Sequence, residues 1–593
     1  MVDAVLDGTG DVAGLAAYVG DATNYPLLAG LQPDLYRCFM AQVWAHQSGR
    51  GISSLVHPET HFTDEKAGRL RENTYFRLRR HWQFENQLKL FHEIGNLISY
   101  GVHVYGAPGT VAFDHATALY HPATIVSSYR HNGDGDEPGF KFDGHWDTRP
   151  HRARIQRVTD ETLALWRDVL ESPGSPLQHT RMLYTVNRGV SDVLTRVARA
   201  DRIGSLDLHF SRGWDESIDR KKGYFVKRWG APETWRDAIL QGPHLFVANP
   251  MYESPNRGLK SHRDWSHVDL EQLATDAVPT TGYKPAGDRA RYDRDYTHWS
   301  DNPDPATAGF GSSETYWENE PARDHYRVAW RSMANNTGER TLIPAIIPPG
   351  SAHPNGVFCV GAHSNQELAL AAGAVSSLIS DFSVRASPKS GIYQGVFERL
   401  PLPPLNHPLI PALILRTLRL NCLTSAYADL WSDCFDPAFQ ADSWTSTEHT
   451  VTELGDVSSE WNKTTPLRRD SDRRQALVEI DALAALMLGI PAEELCTVYR
   501  TQFGVLNEYD TGIGKSKYIF DRNGRIIPNT VYATWKKKGD AITGAERTAT
   551  NASGRTYIYE LPFITYDREA DMTTAYHEFE RRLEAVGGYE PES

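Results

Sequence analysis

His57 and His61, in the stretch HPETH, have the i, i+4 spacing that on a helix would aim two imidazoles at one zinc ion. Pro58 follows a strand-like run, and the glutamate stands one place away from its position in H-E-x-x-H. The expectation is therefore no metal site and no assigned catalytic residue, although His57 and Glu59 fall at the C-terminal end of a strand, where open α/β sheets bind ligands. GIGKS (512–516) imitates the end of a phosphate-binding loop, but Tyr509 occupies the place of its first glycine and no buried strand precedes it, so it reads as a turn. No G-x-S-x-G elbow is present. Cys38, Cys359, Cys422, Cys434 and Cys496 show no C-x-x-C spacing, which argues against a zinc site and a disulfide framework.

Basic residues interleaved with aromatics offer a second chemistry, contact with nucleic acid, in which Lys and Arg meet phosphates and aromatics stack on bases. RGWDESIDRKKGYFVKRW (212–229) carries Arg212, Arg220, Lys221, Lys222, Lys227 and Arg228 around Trp214, Tyr224 and Trp229. RGLKSHRDW (257–265) adds Arg257, Lys260, His262 and Arg263 after Asn256. A third group comprises Arg327, Arg331, Asn335, Asn336 and Arg340, with Lys389 and Tyr393 further on. Solvated hairpin edges and a buried ion pair at Arg340 are the competing readings. The basic run from Lys66 to Arg80 reads as a solvated helix face that could also lie over phosphates.

These groups need elements to hold them. Pro33 and Asp34 open a helix with Leu35, Phe39, Met40, Val43 and Trp44 on one face. GISSLVHP (51–58) reads as a buried strand, followed by a helix anchored by Leu70 and Leu78; FENQLKLF (84–91) and ISYGVHVYG (98–106) read as a strand pair. The Gly- and Asp-rich stretch 131–150 marks a boundary near residue 130. Beyond it come a helix near 160–171 and a helix opened by Ser364 and Glu367, whose apolar stripe runs from Leu368 to Phe382. After PLPPLNHP (401–408) the chain reads as mainly helical, with one helix ending at Gly489 and another opened by Pro491; residues 439–470 and 535–555 read as surface loops.

The 593 residues suit about three to four domains. With 40% hydrophobic and 23% charged residues the chain is globular in composition, and its net charge of −13 repels polyanions except where cations cluster. No apolar run is long enough to span a bilayer and no secretory signal is visible, which leads us to expect a cytoplasmic protein without membrane contact.

Several stretches also resemble a known family. LQPDLYRCFMAQVWAHQSGRGISSLVHPETHFTDEKAGRLR (31–71) resembles the second half of the catalytic domain of adenine-N6 DNA methyltransferases, with a D-L-Y-x-x-F helix followed by a G-I-x-x-L-V-x-P strand. FENQLKLFHEIGNLISYGVHVYG (84–106) is similar to the strand pair closing that sheet. RVAWRSMANNTGERTLIPAIIPPG (327–350) and PKSGIYQGVFERLPLP (388–403) look like the target recognition domain of large restriction-modification and phage-defence methyltransferases of type IIG or BREX kind, and RRQALVEIDALAALMLGIPAEEL (473–495) resembles their C-terminal helical element.

The resemblance implies an α/β plus α+β chain. Its parts would be a partial Rossmann-like methyltransferase sheet (1–130), a target recognition domain (131–405) and a mainly helical C-terminal region (406–593). Double-stranded DNA is the implied partner and S-adenosylmethionine the implied cofactor of the complete enzyme. The family's D-P-x-x-G-x-G loop and N-P-P-(Y/F/W) tetrapeptide are not found: LDGTGD (6–11) lacks a preceding strand, NPMY (249–252) has Met for the second Pro, and Asn24-Tyr25-Pro26 is not that motif. The tetrapeptide holds the flipped adenine in line with the methyl group. The expectation is thus a gene fragment or a subunit that does not bind the cofactor by itself, completed by a polypeptide supplying the N-terminal half. A non-catalytic DNA-binding specificity module for a nuclease or helicase is the alternative, and a carbohydrate-active enzyme a third.

Overall fold

The computed structural model of the chain describes residues 2–32, 34–96, 98–172, 174–206, 208–261, 263–296, 322–333, 338–387, 391–448, 450–511 and 518–589. The chain divides into two compact units, 1–198 with 385–389, and 199–384 with 390–593. The boundary expected near residue 130 falls inside the first unit, because a strand at residues 156–158 joins the sheet begun at residue 53.

In the first unit, α1 (Val2–Gly20) places Gly8 and Gly10 of LDGTGD inside a helix. α2 (Leu35–His46) begins at Asp34, whose carboxylate accepts a hydrogen bond from the Tyr36 N–H. Met40 and Trp44 face inward, but Leu35 and Phe39 of the expected inner stripe are 50% and 65% exposed. β1 (Ser53–Pro58), α3 (Gly68–Arg77), β2 (Leu78–Glu85), β3 (Ser99–Tyr105), β4 (Phe113–Leu119) and β5 (Gln156–Val158) follow, then α4 (Asp160–Leu170).

The sheet order is β1-β3-β2-β4-β5. Only β2 with β4 is parallel among these pairs, so the architecture is mixed α/β, and a parallel Rossmann-like run is not among the described strands. The expected strand at 84–91 corresponds instead to β2, six residues earlier, and the expected helix at 66–80 ends at Arg77. The change of period explains both: Trp82 and Phe84 turn to one face of the sheet and His81 and Gln83 to the other, the two-residue repeat of a strand. One face of the sheet packs Phe84, Tyr100, Ala116 and Ile125 into an apolar cluster. The opposite face carries histidines.

In the second unit the strands include β6 (His209–Ser211), β7 (Phe225–Gly230), β8 (Glu253–Pro255), β9 (Trp265–His267), β10 (Thr281–Pro285), β11 (Arg327–Arg331), β12 (Pro344–Ile347) and β13 (Val357–Gly361). They build an antiparallel sheet, β12-β11-β13-β6, and two hairpin-like pairs, β7 with β10 and β8 with β9. The helices α5 (Asn365–Ser376), α6 (Ile410–Asn421), α7 (Asp470–Met487) and α8 (Arg568–Ala585) pack in succession.

Ser364 accepts the Glu367 N–H at 3.1 Å and starts α5 as expected. The apolar stripe to Phe382 is not one helix, however: the chain bends by 64° before a second helix, Leu378–Ala386. Asp481 causes the break by accepting the Leu378 N–H at 2.7 Å, while Ser377 Oγ accepts from the Ser380 N–H. α7 ends where Gly489 takes φ 66°, and Pro491 caps the next helix. The expected loop at 535–555 contains the end of a helix, Asn529–Lys538, and one strand of a hairpin. No single helix among the described residues is long and apolar enough to cross a membrane.

Candidate functional site

Leu55, His103, His81 and His115 lie opposite one another on β1, β3, β2 and β4, so the sheet register sets three imidazoles side by side in one row. His57 belongs to the same face and stacks on His103, ring centroids 3.7 Å apart and ring planes nearly parallel. Pro58 ends β1, and Glu59 then turns its carboxylate down over the row. Its Oε2 lies 2.7 Å from His81 Nε2 and accepts the Tyr184 hydroxyl at 3.0 Å, while its Oε1 lies 3.0 Å from His103 Nε2.

The turn that carries Glu59 is held from below and from the side. Arg71 on α3 is buried and donates to the carbonyls of His61 (3.1 Å) and His179 (2.9 Å). Tyr36 on α2 accepts the His61 N–H at 2.9 Å and bonds Thr60 Oγ1 at 2.7 Å. Gly101 on β3 leaves the space the carboxylate fills, since a Cβ there would stand 1.9 Å from Glu59 Oε1. The network runs outward from His81 Nδ1 to His115 Nδ1 at 2.8 Å and from His115 Nε2 to the Leu183 carbonyl at 3.3 Å. His57 Nε2 meets the Tyr105 hydroxyl at 2.9 Å.

Burial sets the electrostatics. It works against charge on Glu59, but His81 and His103 outweigh it and hold the carboxyl well below the ordinary range. Burial, reinforced by His103, pushes His57 down to about 3, and burial lowers His61, His103 and His115 as well. The arrangement is an anionic carboxylate facing two imidazole nitrogens, a set able to hold a proton or a cation.

The second unit displays the basic groups. Arg212, Arg220, Lys221, Lys222, Lys227, Arg228, Arg257, Lys260 and Arg263 are all exposed. The two segments that bear most of them meet: the Trp229 indole N–H donates to the Pro255 carbonyl at 2.9 Å, and the Arg257 guanidinium lies 5.9 Å from the Trp229 ring. Lys222 is paired with Asp219 at 3.2 Å. β7 and β10 also border a cleft of about 430 Å³ that includes Lys284 and Arg289.

Other expected contacts lie elsewhere. Trp214 is 4% exposed and stacks on Tyr224 at 4.5 Å, so it belongs to an aromatic core and not to a surface. Arg331 is half-buried and donates to the carbonyls of Gly242 (2.8 Å) and Leu245. Arg340 is buried against Asp381 at 2.7 Å, the ion-pair reading, and Arg327 is buried against Ser351. Tyr393 is 50% exposed, with its ring edge-on to Phe358. Lys389, Asn335, Asn336, His262 and the GIGKS turn lie outside the described residues.

The methyltransferase look-alikes are structural. Asn249 of NPMY is buried and its side chain accepts the Met251 N–H, which closes a turn. Asn24 donates to the Tyr18 carbonyl, and Pro26 opens a short 3₁₀ helix. With Gly8 and Gly10 inside α1, the residues of LDGTGD do not fit S-adenosylmethionine.

No protein-family profile matches the chain and no curated protein matches it. Among solved structures it is similar to the type IIG restriction endonuclease BpuSI, at 11% identity and a TM-score of 0.26, over 78% of this chain and 51% of that one. The chain thus spans about half the length of the structure it matches, and a likeness this distant assigns no residue a role.

Proposed function

We propose that this chain is a DNA-binding specificity component of a restriction-modification or phage-defence system, working with catalytic machinery from outside these 593 residues. The observation that carries the reading is the pair of joined basic segments around Trp229. A chain of net charge −13 otherwise repels DNA, and here two joined segments hold nine cations in solvent, with Trp229 at their junction. Their exposure fits phosphate contact, which positions a protein on a duplex without reading its sequence.

The finer reading, that the complementary machinery is the S-adenosylmethionine-binding half of an adenine-N6 methyltransferase, draws on the resemblance of residues 31–106 and on one feature of the first unit. β1 pairs with β3 on one side, and no described strand pairs with its other side. Next to that edge Ile52 and Val56 are 74% and 57% exposed. An open edge with apolar neighbours is a surface on which a further strand can pair.

Titration of a labelled mixed-sequence duplex at several salt concentrations tests the main reading. K221A/K222A should weaken binding to all duplexes alike and reduce the salt slope by roughly 2, one for each lost phosphate contact. K536A/K537A, exposed lysines on the helix 529–538, should leave the slope unchanged. Absence of salt-dependent binding by the wild type would defeat the proposal. Transfer of labelled methyl to DNA tests the finer reading, with none expected from this chain alone and incorporation once the complementary half is supplied.

A further inference from the structure

A carboxylate set over a row of buried histidines is more than apolar packing requires, and nothing in the DNA-binding reading uses it. We propose that Glu59, His81 and His103 bind one divalent first-row transition ion of the zinc class, which pins the turn after β1 to β2 and β3. Glu59, His81 and His103 are all buried, and one donor atom from each lies within 4.8 Å of the others. Two imidazole nitrogens with one carboxylate oxygen form a donor set that suits zinc and its neighbours.

Four features of the geometry support the assignment. Donors about 2.0–2.1 Å from a tetrahedral ion stand about 3.3 Å apart, and Glu59 already stands 2.7 Å from His81 Nε2 and 3.0 Å from His103 Nε2. Each nitrogen thus stands within a few tenths of an ångström of that spacing from its own oxygen of the one carboxylate. Secondly, Glu59 Oε1 and His103 Nε2 stand 3.0 Å apart and neither has a hydrogen-bond partner elsewhere. Thirdly, Gly101 is the residue that admits the carboxylate.

The fourth is the outer shell. A metal-bound imidazole keeps its orientation by donating its other N–H, and His81 Nδ1 has His115 for that purpose. With an ion on His81 Nε2, His81 donates to His115 and His115 donates to the Leu183 carbonyl, so two neutral rings satisfy both bonds. Tyr184 fixes the free oxygen of Glu59.

The full chain, purified without a histidine tag, is stripped with a chelator and equilibrated with Zn²⁺ or with Co²⁺ as a coloured probe. We expect about one tightly held ion per chain, visible Co²⁺ absorption that saturates at the same ratio, and a melting temperature that EDTA lowers. E59Q and H103A should lose the ion. H115A should weaken binding roughly 10- to 100-fold, as removal of outer-shell partners does. H577A, an exposed histidine on α8, should change nothing. Failure of the wild-type chain to retain Zn²⁺ or Co²⁺ after removal of excess metal would overturn the proposal without recourse to any variant. Retention of the same ion content by folded E59Q and H103A chains would also overturn it.

Discussion

Arg416 is fully buried on α6, 2.5 Å from Glu479 of α7 and 2.6 Å from Asp442. Glu479 also accepts the Thr445 N–H and hydroxyl, so neither charge is left bare. Breaking such a pair from one side leaves a desolvated charge, and E479A should cost about 3–5 kcal/mol in urea unfolding, with E479Q costing less. Asp481 shows the opposite balance. Burial pushes its carboxyl up to about 6, although Arg340 and Arg568 pull it down and the Leu378 N–H donates to it. The folded state then holds a proton that the unfolded carboxyl releases near pH 4, so this group's contribution to stability falls as pH rises from about 4 to about 6. D481N keeps an acceptor for Leu378 and should flatten that fall, which denaturation at pH 4.5 and pH 7 will show as a gain relative to wild type of order 1–3 kcal/mol at the higher pH. At this scale the histidine cluster was half legible. His57 and Glu59 stand out because they follow a strand, whereas His81, His103 and His115 are joined to them only by sheet register, which brings residues up to 58 positions apart together and leaves no local spacing to read.

Elements with strong local signals came out as written. Asp34 starts α2, Ser364 starts α5, Gly489 follows α7, and Leu163, Trp166 and Leu170 are buried along α4. The failures have tertiary causes. β2 begins six residues before the apolar run that suggested it, since both its faces are covered, one carrying His81 and Gln83 and the other Trp82 and Phe84. The single helix expected beyond Ser364 is broken by Asp481, a residue more than a hundred positions away. Gly373 marks another constraint that spacing does not reveal. A Cβ there would stand 2.6 Å from Thr417 Oγ1 and 2.9 Å from Leu413 on α6, so glycine sets the approach of α5 to α6. On an isolated helix Gly→Ala is favourable by about 1 kcal/mol. G373A should instead destabilise the protein by about 1–3 kcal/mol through overpacking, measured by chemical denaturation, and the companion change L413A should recover part of the loss.

At the scale of the whole chain, net charge and local charge point in different directions. The −13 balance keeps anions at a distance on average, and the basic segments around Trp229 are local exceptions whose effect fades with ionic strength. Chain order has a separate effect. The first unit is discontinuous: Tyr184 donates its N–H to the carbonyl of Ala386 at 3.0 Å, and residues 385–389 are counted with residues 1–198. On the ribosome, Ala386 is made roughly 190 residues after Ala198, a delay on the order of 10–40 s at ordinary elongation rates. Through that interval the nascent first unit has its sheet but lacks its last stitch, and every copy passes through a stage at which residues 1–198 have been made and the segment that closes their unit has not.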